Sequence, residues 1–119
     1  MREKKEYEKE LAFLEALGFR AKFEEHANET IQEMVEKYGN QVNIDRLYSL
    51  INAESILLIV AQAIKDFYTN DELDEYIQGA KILGDKFTIP KVKILIIIIN
   101  KALKDYYSNK IPTEYLSIN

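Results

Sequence analysis

The hydrophobic pattern of this chain is strongest over residues 91–109, KVKILIIIINKALKDYYSN. Six consecutive large apolar residues run from Ile94 to Ile99, between Lys93 and Asn100. On a helix, six residues cover every face, so no orientation leaves this segment with a polar side. We therefore expect it to be enclosed, either by the rest of the chain or by a partner.

In the first forty residues, apolar positions recur at spacings of three and four. This periodicity predicts a helix over residues 3–17 that ends at Gly18, and a second helix over residues 20–38 that ends at Gly39. The remaining face of both helices is charged. Each helix is therefore expected to cover a core on one side only.

The middle of the chain contains two further apolar segments. A third helix is predicted to begin near Asn43, and it either continues through Asn52 or stops there so that Asn52 caps a new helix. Residues 55–68 are nearly as apolar as 91–109, and Asn70 is expected to close that helix. Residues 71–83 then form a helix with acidic first turns, where the helix dipole favours negative charge.

The last long helix is predicted to start at Thr88 as its cap, with Pro90 in its first turn. A β-strand over VKILIIII is the alternative, because isoleucine has a high strand propensity. The proline placement and the uninterrupted run into KALKDYY favour the helix. Ile111-Pro112 is expected to end it and to leave a tail over residues 111–119.

Two segments match each other at an offset of 39 residues. AIKDFYTN (63–70) matches ALKDYYSN (102–109), and similar residues continue on both sides. The match predicts a duplicated helical hairpin, 43–77 and 82–116, with convergence on similar helix ends as the alternative. In all, the pattern predicts an all-α single domain, 1–119, of about five helices. Residues 1–40 would form two cover helices, 43–110 the core helices and 111–119 the tail.

Composition narrows the class of protein. A chain of 119 residues with 47% hydrophobic and 30% charged residues is typical of one globular domain. The absence of cysteine excludes disulfides, thiolate metal sites and cysteine nucleophiles. The charged first ten residues do not form a signal peptide, and the longest apolar run is far shorter than the roughly 20 residues of a membrane span. A cytoplasmic location is expected.

Usage of individual residues gives a weaker indication of origin. Lysine outnumbers arginine 13 to 3, and there are 16 isoleucines. This bias is typical of AT-rich genomes, such as those of low-GC bacteria, of archaea or of their viruses.

Charge is distributed unevenly around the formal net value of −4. Residues 81–119 carry seven basic and three acidic groups, whereas 41–80 carry two basic and seven acidic groups. An acidic whole argues against unspecific nucleic-acid coating, but the basic last third could form a local patch.

The helix over 89–107 has more apolar surface than one core needs. A complete stripe is already formed by Val92, Leu95, Ile96, Ile99, Ala102, Leu103 and Tyr106. Two interpretations stay open: a central helix surrounded by the other four, or an interface with a second copy or another protein. The predicted interface consists of Ile94, Ile97, Ile98, Tyr115 and Leu116.

Two patterns in the sequence bear on catalysis or metal binding. Arg20 and His26 form an Arg-x5-His spacing that resembles the catalytic motif of HEPN ribonucleases, small helical bundles of about this size, and the resemblance implies ribonuclease activity. A solvated or capping histidine is the alternative. The acids Asp71, Glu72, Asp74 and Glu75 could suggest metal ligands, but a helix N-terminus explains them better.

Residues 79–95 resemble a helix-turn-helix core in outline. A DNA-binding regulator built on it would use Lys81, Lys86, Lys91 and Lys93. No phosphate-binding loop or nucleophile–base pair is present in the sequence, so no cofactor and no metal are predicted. The sequence therefore predicts a non-enzymatic interaction or scaffold subunit, which would form a homodimer or join a larger assembly. The DNA-binding regulator is the first alternative and the ribonuclease the second.

Overall fold

The computed structural model describes residues 6–114, with the side chains of all of them except Asn40 and residues 110–114. The predicted all-α class is confirmed, since this part of the chain contains no strand. There are five long helices and one short one: α1 (Glu8–Ala16), α2 (Phe19–Tyr38), α3 (Ile44–Leu50), α4 (Ala53–Ala63), α5 (Asn70–Leu83) and α6 (Val92–Glu114). Short 3-10 turns follow α2 and α5, at Gly39–Gln41 and Gly84–Lys86.

The predicted break between the first two helices is confirmed at Gly18. This residue has φ 78°, in the left-handed region where a side chain would be strained, and it separates α1 from α2. The predicted second helix is confirmed from residue 19 to residue 38. The predicted start of the first helix lies outside the described residues.

Of the two alternatives for the third helix, the structure has the break. Asn43 caps α3 by accepting a hydrogen bond from the backbone N–H of Arg46, at 3.0 Å. Asn52 caps α4 in the same way, with the backbone N–H of Ser55 as its donor at 2.9 Å. Each amide satisfies a backbone donor that the first turn of a helix leaves unpaired.

The predicted helix over 55–68 is wrong at its end. The structure ends α4 at Ala63, and a tight turn follows, in which the N–H of Phe67 donates to the carbonyl of Ile64 at 3.0 Å. Asn70 does not close α4 but begins α5, and Thr69 caps α5 through a reciprocal pair of hydrogen bonds with Glu72. Ile64 and Tyr68 are both buried at this turn.

Both predicted ends of the last helix are also wrong. The helix begins at Val92 and not at Thr88, because Lys91 precedes it with φ 57° and accepts its first backbone hydrogen bond. It then continues through Asn109 and Pro112 to Glu114. Of the two segments with matching sequence, 63–70 contains a turn and 102–109 lies inside a helix. The two segments therefore do not share a conformation.

The centre of the bundle is α4, which packs against α1, α2 and α6. Helix α5 packs mainly on α1. The core is formed by side chains of every helix, of which the largest fully buried ones are Phe13, Leu14, Leu47, Ile51, Ile56, Leu57, Val60, Ile64, Leu73 and Leu95. The interpretation of 91–109 as the enclosed centre is wrong, since α6 packs chiefly on α4 alone.

Candidate protein-interaction surface

The side of α6 that faces away from α4 combines isoleucines with lysines. Helix α6 buries Leu95, Ile99 and Leu103, three residues four apart, against the core. On the opposite side, Ile94 is 52% exposed and Ile97 is 65% exposed. We call this side the outer face of α6; it consists of Lys93, Ile94, Ile97, Lys101 and Lys104, all of them exposed.

Two tyrosines fix the described part of α6 near its ends. The hydroxyl of Tyr68 donates to the carbonyl of Pro90 at 2.6 Å, just before the helix begins. The hydroxyl of Tyr106 donates to the carbonyl of Leu50 at 2.6 Å, which ties the later turns of α6 to α3. The ammonium of Lys91 also lies over the Tyr68 ring, 5.9 Å from its centroid. These contacts hold α6 against α4 and leave its outer face uncovered.

A groove runs between α2 and α6. Both helices pack on α4, but within the described residues they are not a closely packed pair themselves. Near its beginning the groove widens into a recess of about 260 Å³. The recess is mostly apolar and is lined by Phe19, Lys22, Phe23, His26, Ile96, Ile99, Asn100 and Leu103.

The floor of the groove is closed by a ring contact between His26 and Tyr107. The two rings are stacked, with their centroids 5.8 Å apart. Neither His26 Nε2 nor the Tyr107 hydroxyl, both buried, has a hydrogen-bond partner among the described residues. Burial raises the pKa of Tyr107 to about 12.

Opposite charges lie on the two sides of this groove. Helix α2 carries an exposed row, Glu25, Glu29, Glu33 and Glu36, at spacings of four and three that keep the row on one side. We call it the acidic row of α2. In the part of the chain whose side chains are described, none of these carboxylates forms an ion pair, and neither does Lys93 or Lys104. Lys101 pairs within its own helix, with Asp105 at 2.9 Å.

The predicted interface residues are placed as follows. Ile94 and Ile97 lie together on the outer face of α6, whereas Ile98 is half-buried and packs against the core. Tyr115 and Leu116 lie outside the described residues. Ile96, which the sequence pattern assigned to the core stripe, is 49% exposed at the edge of the recess. Only the position of α2 reveals this, because Ile96 would be buried if α2 and α6 were in close contact.

The two residues of the ribonuclease-like spacing lie on different sides of α2. The guanidinium of Arg20 donates to Glu15, with Nε 2.9 Å from Oε2, and pairs with Glu54 at 2.8 Å. These hydrogen bonds, first to Glu15 and then to Glu54, raise the pKa of Arg20. His26 instead faces the groove and Tyr107. The structure therefore does not bring Arg20 and His26 to one site, since six residues turn a helix by about 600°, which leaves the two side chains about 120° apart around its axis.

Two of the four acids at the start of α5, Glu72 and Asp74, have local roles. Glu72 completes the capping box with Thr69, and that hydrogen bond is the main cause of its lowered pKa. Asp74 pairs with Lys9 of α1 at 3.0 Å. Within residues 6–109, no group of three or more histidine, aspartate or glutamate side chains is arranged to hold a metal ion.

The lysines of the DNA-binding alternative flank the segment that joins α5 to α6. Lys81 lies on α5, Lys86 in the 3-10 turn, and Lys91 and Lys93 at the start of α6, all exposed. Among the described residues, α5 and α6 are not a closely packed pair, unlike the two helices of a helix-turn-helix. Lys91 also has a structural role against the rings of Phe67 and Tyr68.

Among helices within residues 6–114, none has the length and hydropathy needed to cross a bilayer. Comparison of the chain with protein-family models, with curated proteins and with solved structures finds no match.

Proposed function

We propose that this protein is a non-enzymatic interaction subunit that binds a second copy of itself through the outer face of α6. The observation that carries the proposal is the exposure of Ile94 and Ile97 in the first two turns of the longest helix. Burying an isoleucine is worth roughly 1.5–3 kcal/mol, so two neighbouring exposed isoleucines on one rigid helix favour association.

The described part of α6 is suited to this role because it is rigid before any partner arrives. The hydroxyls of Tyr68 and Tyr106 fix it near both ends, and its inner face is buried on α4. A preorganised surface loses little conformational entropy on binding, which favours affinity. The surface has no polar cluster that would position a reacting group.

Sedimentation equilibrium over a wide concentration range tests the proposal. We expect the native chain to approach twice its mass of 13.9 kDa, and we expect Ile94→Gln combined with Ile97→Gln to keep the chain at that single mass. Glutamine is a good helix former, so the double variant should fold. The matched control is Ile82→Gln, at the most exposed isoleucine of the described residues, on α5 and outside the proposed surface. A native chain that stays a monomer at all concentrations would refute the proposal.

The DNA-binding regulator stays an alternative because the outer face of α6 is basic. Binding of DNA through lysines should weaken steeply as salt rises, whereas association through isoleucines should change little or strengthen. A gel-shift titration at two salt concentrations distinguishes the two.

A further inference from the structure

The surface around the α2–α6 groove carries two rows of charged side chains, one acidic and one basic, side by side. On one side lies the acidic row of α2, and on the other lie the lysines of the outer face of α6. The segment 91–109 has four lysines and one aspartate, whereas 6–90 has 17 acidic and eight basic residues. A membrane or a nucleic acid of uniformly negative charge would attract the lysines and repel the acidic row. A second copy turned by half a revolution presents each row to its opposite.

The groove also offers apolar space of the right kind. The recess beside Phe19, Phe23 and Ile96 is lined mainly by apolar side chains and opens beside the outer face of α6. Ridges of side chains on one helix pack into grooves between others, which is how helices associate in bundles. The exposed Ile94 and Ile97 form such a ridge.

The levels of the two helices along the groove decide which charges would meet. Phe19 and Phe23 lie beside Ile96 and Ile99, and further along, a second recess joins Thr30 and Met34 to Tyr107 and Ser108. Helices α2 and α6 therefore run in the same direction. Residues 25–29 of α2, at the end of the first recess and just before the second, are level with residues of about 100–104 on α6.

We infer that the dimer is built by reciprocal insertion: the outer face of α6 of each copy lies in the α2–α6 groove of the other. The two-fold axis runs along the helices, so residues at the same level face each other across it. Ile94 and Ile97 then enter the recess at Phe19, Phe23 and Ile96. Lys101 and Lys104 meet Glu25 and Glu29 of the second copy. This inference rests on the proposed function and names the opposing surface.

Charge reversal in each row tests the pairing. In the first variant, Lys101→Glu is combined with Lys104→Glu, and in the second, Glu25→Lys is combined with Glu29→Lys. Each alone places like charges together at two symmetric contacts. We expect the dimer dissociation constant to rise at least about tenfold for each, since like charges at an interface disfavour binding. An equimolar mixture should regain native affinity, because both contacts of the mixed dimer then pair opposite charges.

The matched control reverses the same number of charges away from the groove. It combines Glu24→Lys, which faces the recess beside Arg20 on the other side of α2, with Glu75→Lys on α5. We expect native dimer affinity for this variant. Circular dichroism of every variant shows whether it has folded.

The outcomes separate the two proposals. If Ile94→Gln with Ile97→Gln abolishes dimers while the charge variants and their mixture behave as native, the groove is not the opposing surface and the self-association stands. A chain that is monomeric at all concentrations overturns both. So does a monomer that binds vesicles of anionic lipid or duplex DNA through Lys101 and Lys104. Dimers that are weakened by each reversal and regained in the mixture support the reciprocal insertion.

Discussion

Helices α4 and α6 contain the two most apolar segments of the chain, but α4 is covered by other helices and α6 is exposed on one side. Helix α4 has neighbours on three sides, α1, α2 and α6, and none of its large apolar side chains is exposed. Helix α6 has α4 as its principal neighbour, and three of its isoleucines are about half exposed or more. The two helices differ in position, and α6 in addition carries Lys93, Lys101 and Lys104 on its exposed side.

Apolar content alone therefore does not decide which helix is central. A helix of 11 residues is short enough for three others to cover, whereas one of 23 residues extends over a length of about 34 Å. Of the helices available, α5 is committed to α1 and α3 has only seven residues. No helix within the described residues is left to cover the outer face of α6.

The sharpest test of the comparison is truncation of one side chain on each helix. Leu57→Ala on α4 should lower the free energy of unfolding by about 2–5 kcal/mol, because it leaves a cavity in a fully buried site. Ile97→Ala on α6 should change it by less than about 0.5 kcal/mol when the chain is monomeric, because most of that side chain is already in water. Urea denaturation at low protein concentration measures both.

Repeating the measurement at higher protein concentration provides the control for these two variants. If α6 binds a second copy, Ile97→Ala should become destabilising relative to the native chain as the protein concentration rises, while the effect of Leu57→Ala should stay similar. Equal losses for the two variants in dilute solution would show that Ile97 is covered within the monomer, and the contrast between the helices would then be wrong.

The start of α4 depends on Asn52. Its side-chain oxygen caps α4 through Ser55, and its amide donates to the carbonyl of Tyr48 at 2.7 Å. Asn52→Ala should cost about 1 kcal/mol of stability, with Asn52→Asp as the control that keeps the capping oxygen. Thermal unfolding measures the loss, and an unchanged midpoint for Asn52→Ala would mean that core packing alone fixes the break between α3 and α4.

The attachment of α6 depends on two hydroxyls. Tyr106→Phe removes the donor to the Leu50 carbonyl, and Tyr68→Phe removes the donor to the Pro90 carbonyl. Each should cost about 1 kcal/mol, the usual net contribution of such a hydrogen bond. Hydrogen exchange of α6 amides should rise in both variants. Tyr48→Phe, at an exposed ring on α3, is the control and should leave the exchange unchanged.

Much of the fold could be predicted from local patterns. Helix α2 follows from its apolar spacing and from the glycines at both ends, since Gly18 and Gly39 adopt left-handed conformations. The break at Asn52 could be named only as one of two options, because the residue can either continue a helix or cap one. The turn after Ala63 was not predictable from the local pattern, since Tyr68 beside it packs on the ring of Phe13 in α1, which is distant in sequence.

The candidate surface was predictable only in part. The surplus of isoleucine over residues 94–99 indicates an exposed or shared face, and Ile94 and Ile97, which were predicted to lie on it, are exposed in the structure. The pattern of α6 alone could not show that Ile96 is exposed or that Ile98 packs on the core, because six consecutive apolar residues fit several rotations of the helix. The groove depends on the separation of α2 from α6, which no local pattern encodes.

The smallest expected effect concerns Tyr107, whose ring stacks on His26 between α2 and α6. Burial raises the pKa of its hydroxyl from 10 to about 12, so the folded chain keeps this proton where the unfolded chain releases it. Stability should therefore fall as the pH rises from about 10 towards 12. Tyr107→Phe removes this titration and an unpaired buried hydroxyl, so its stability should equal or slightly exceed that of the native chain at neutral pH and fall less steeply above pH 10.

Tyr68→Phe is the parallel control, because burial raises the pKa of Tyr68 to about 12 as well, while its hydroxyl has a partner in Pro90. That variant should also flatten the alkaline slope, but it should lose stability at neutral pH. Urea midpoints at pH 7, 9.5 and 10.5 test this, and a Tyr107→Phe chain that loses as much stability at neutral pH as Tyr68→Phe would show that the Tyr107 hydroxyl has a partner after all.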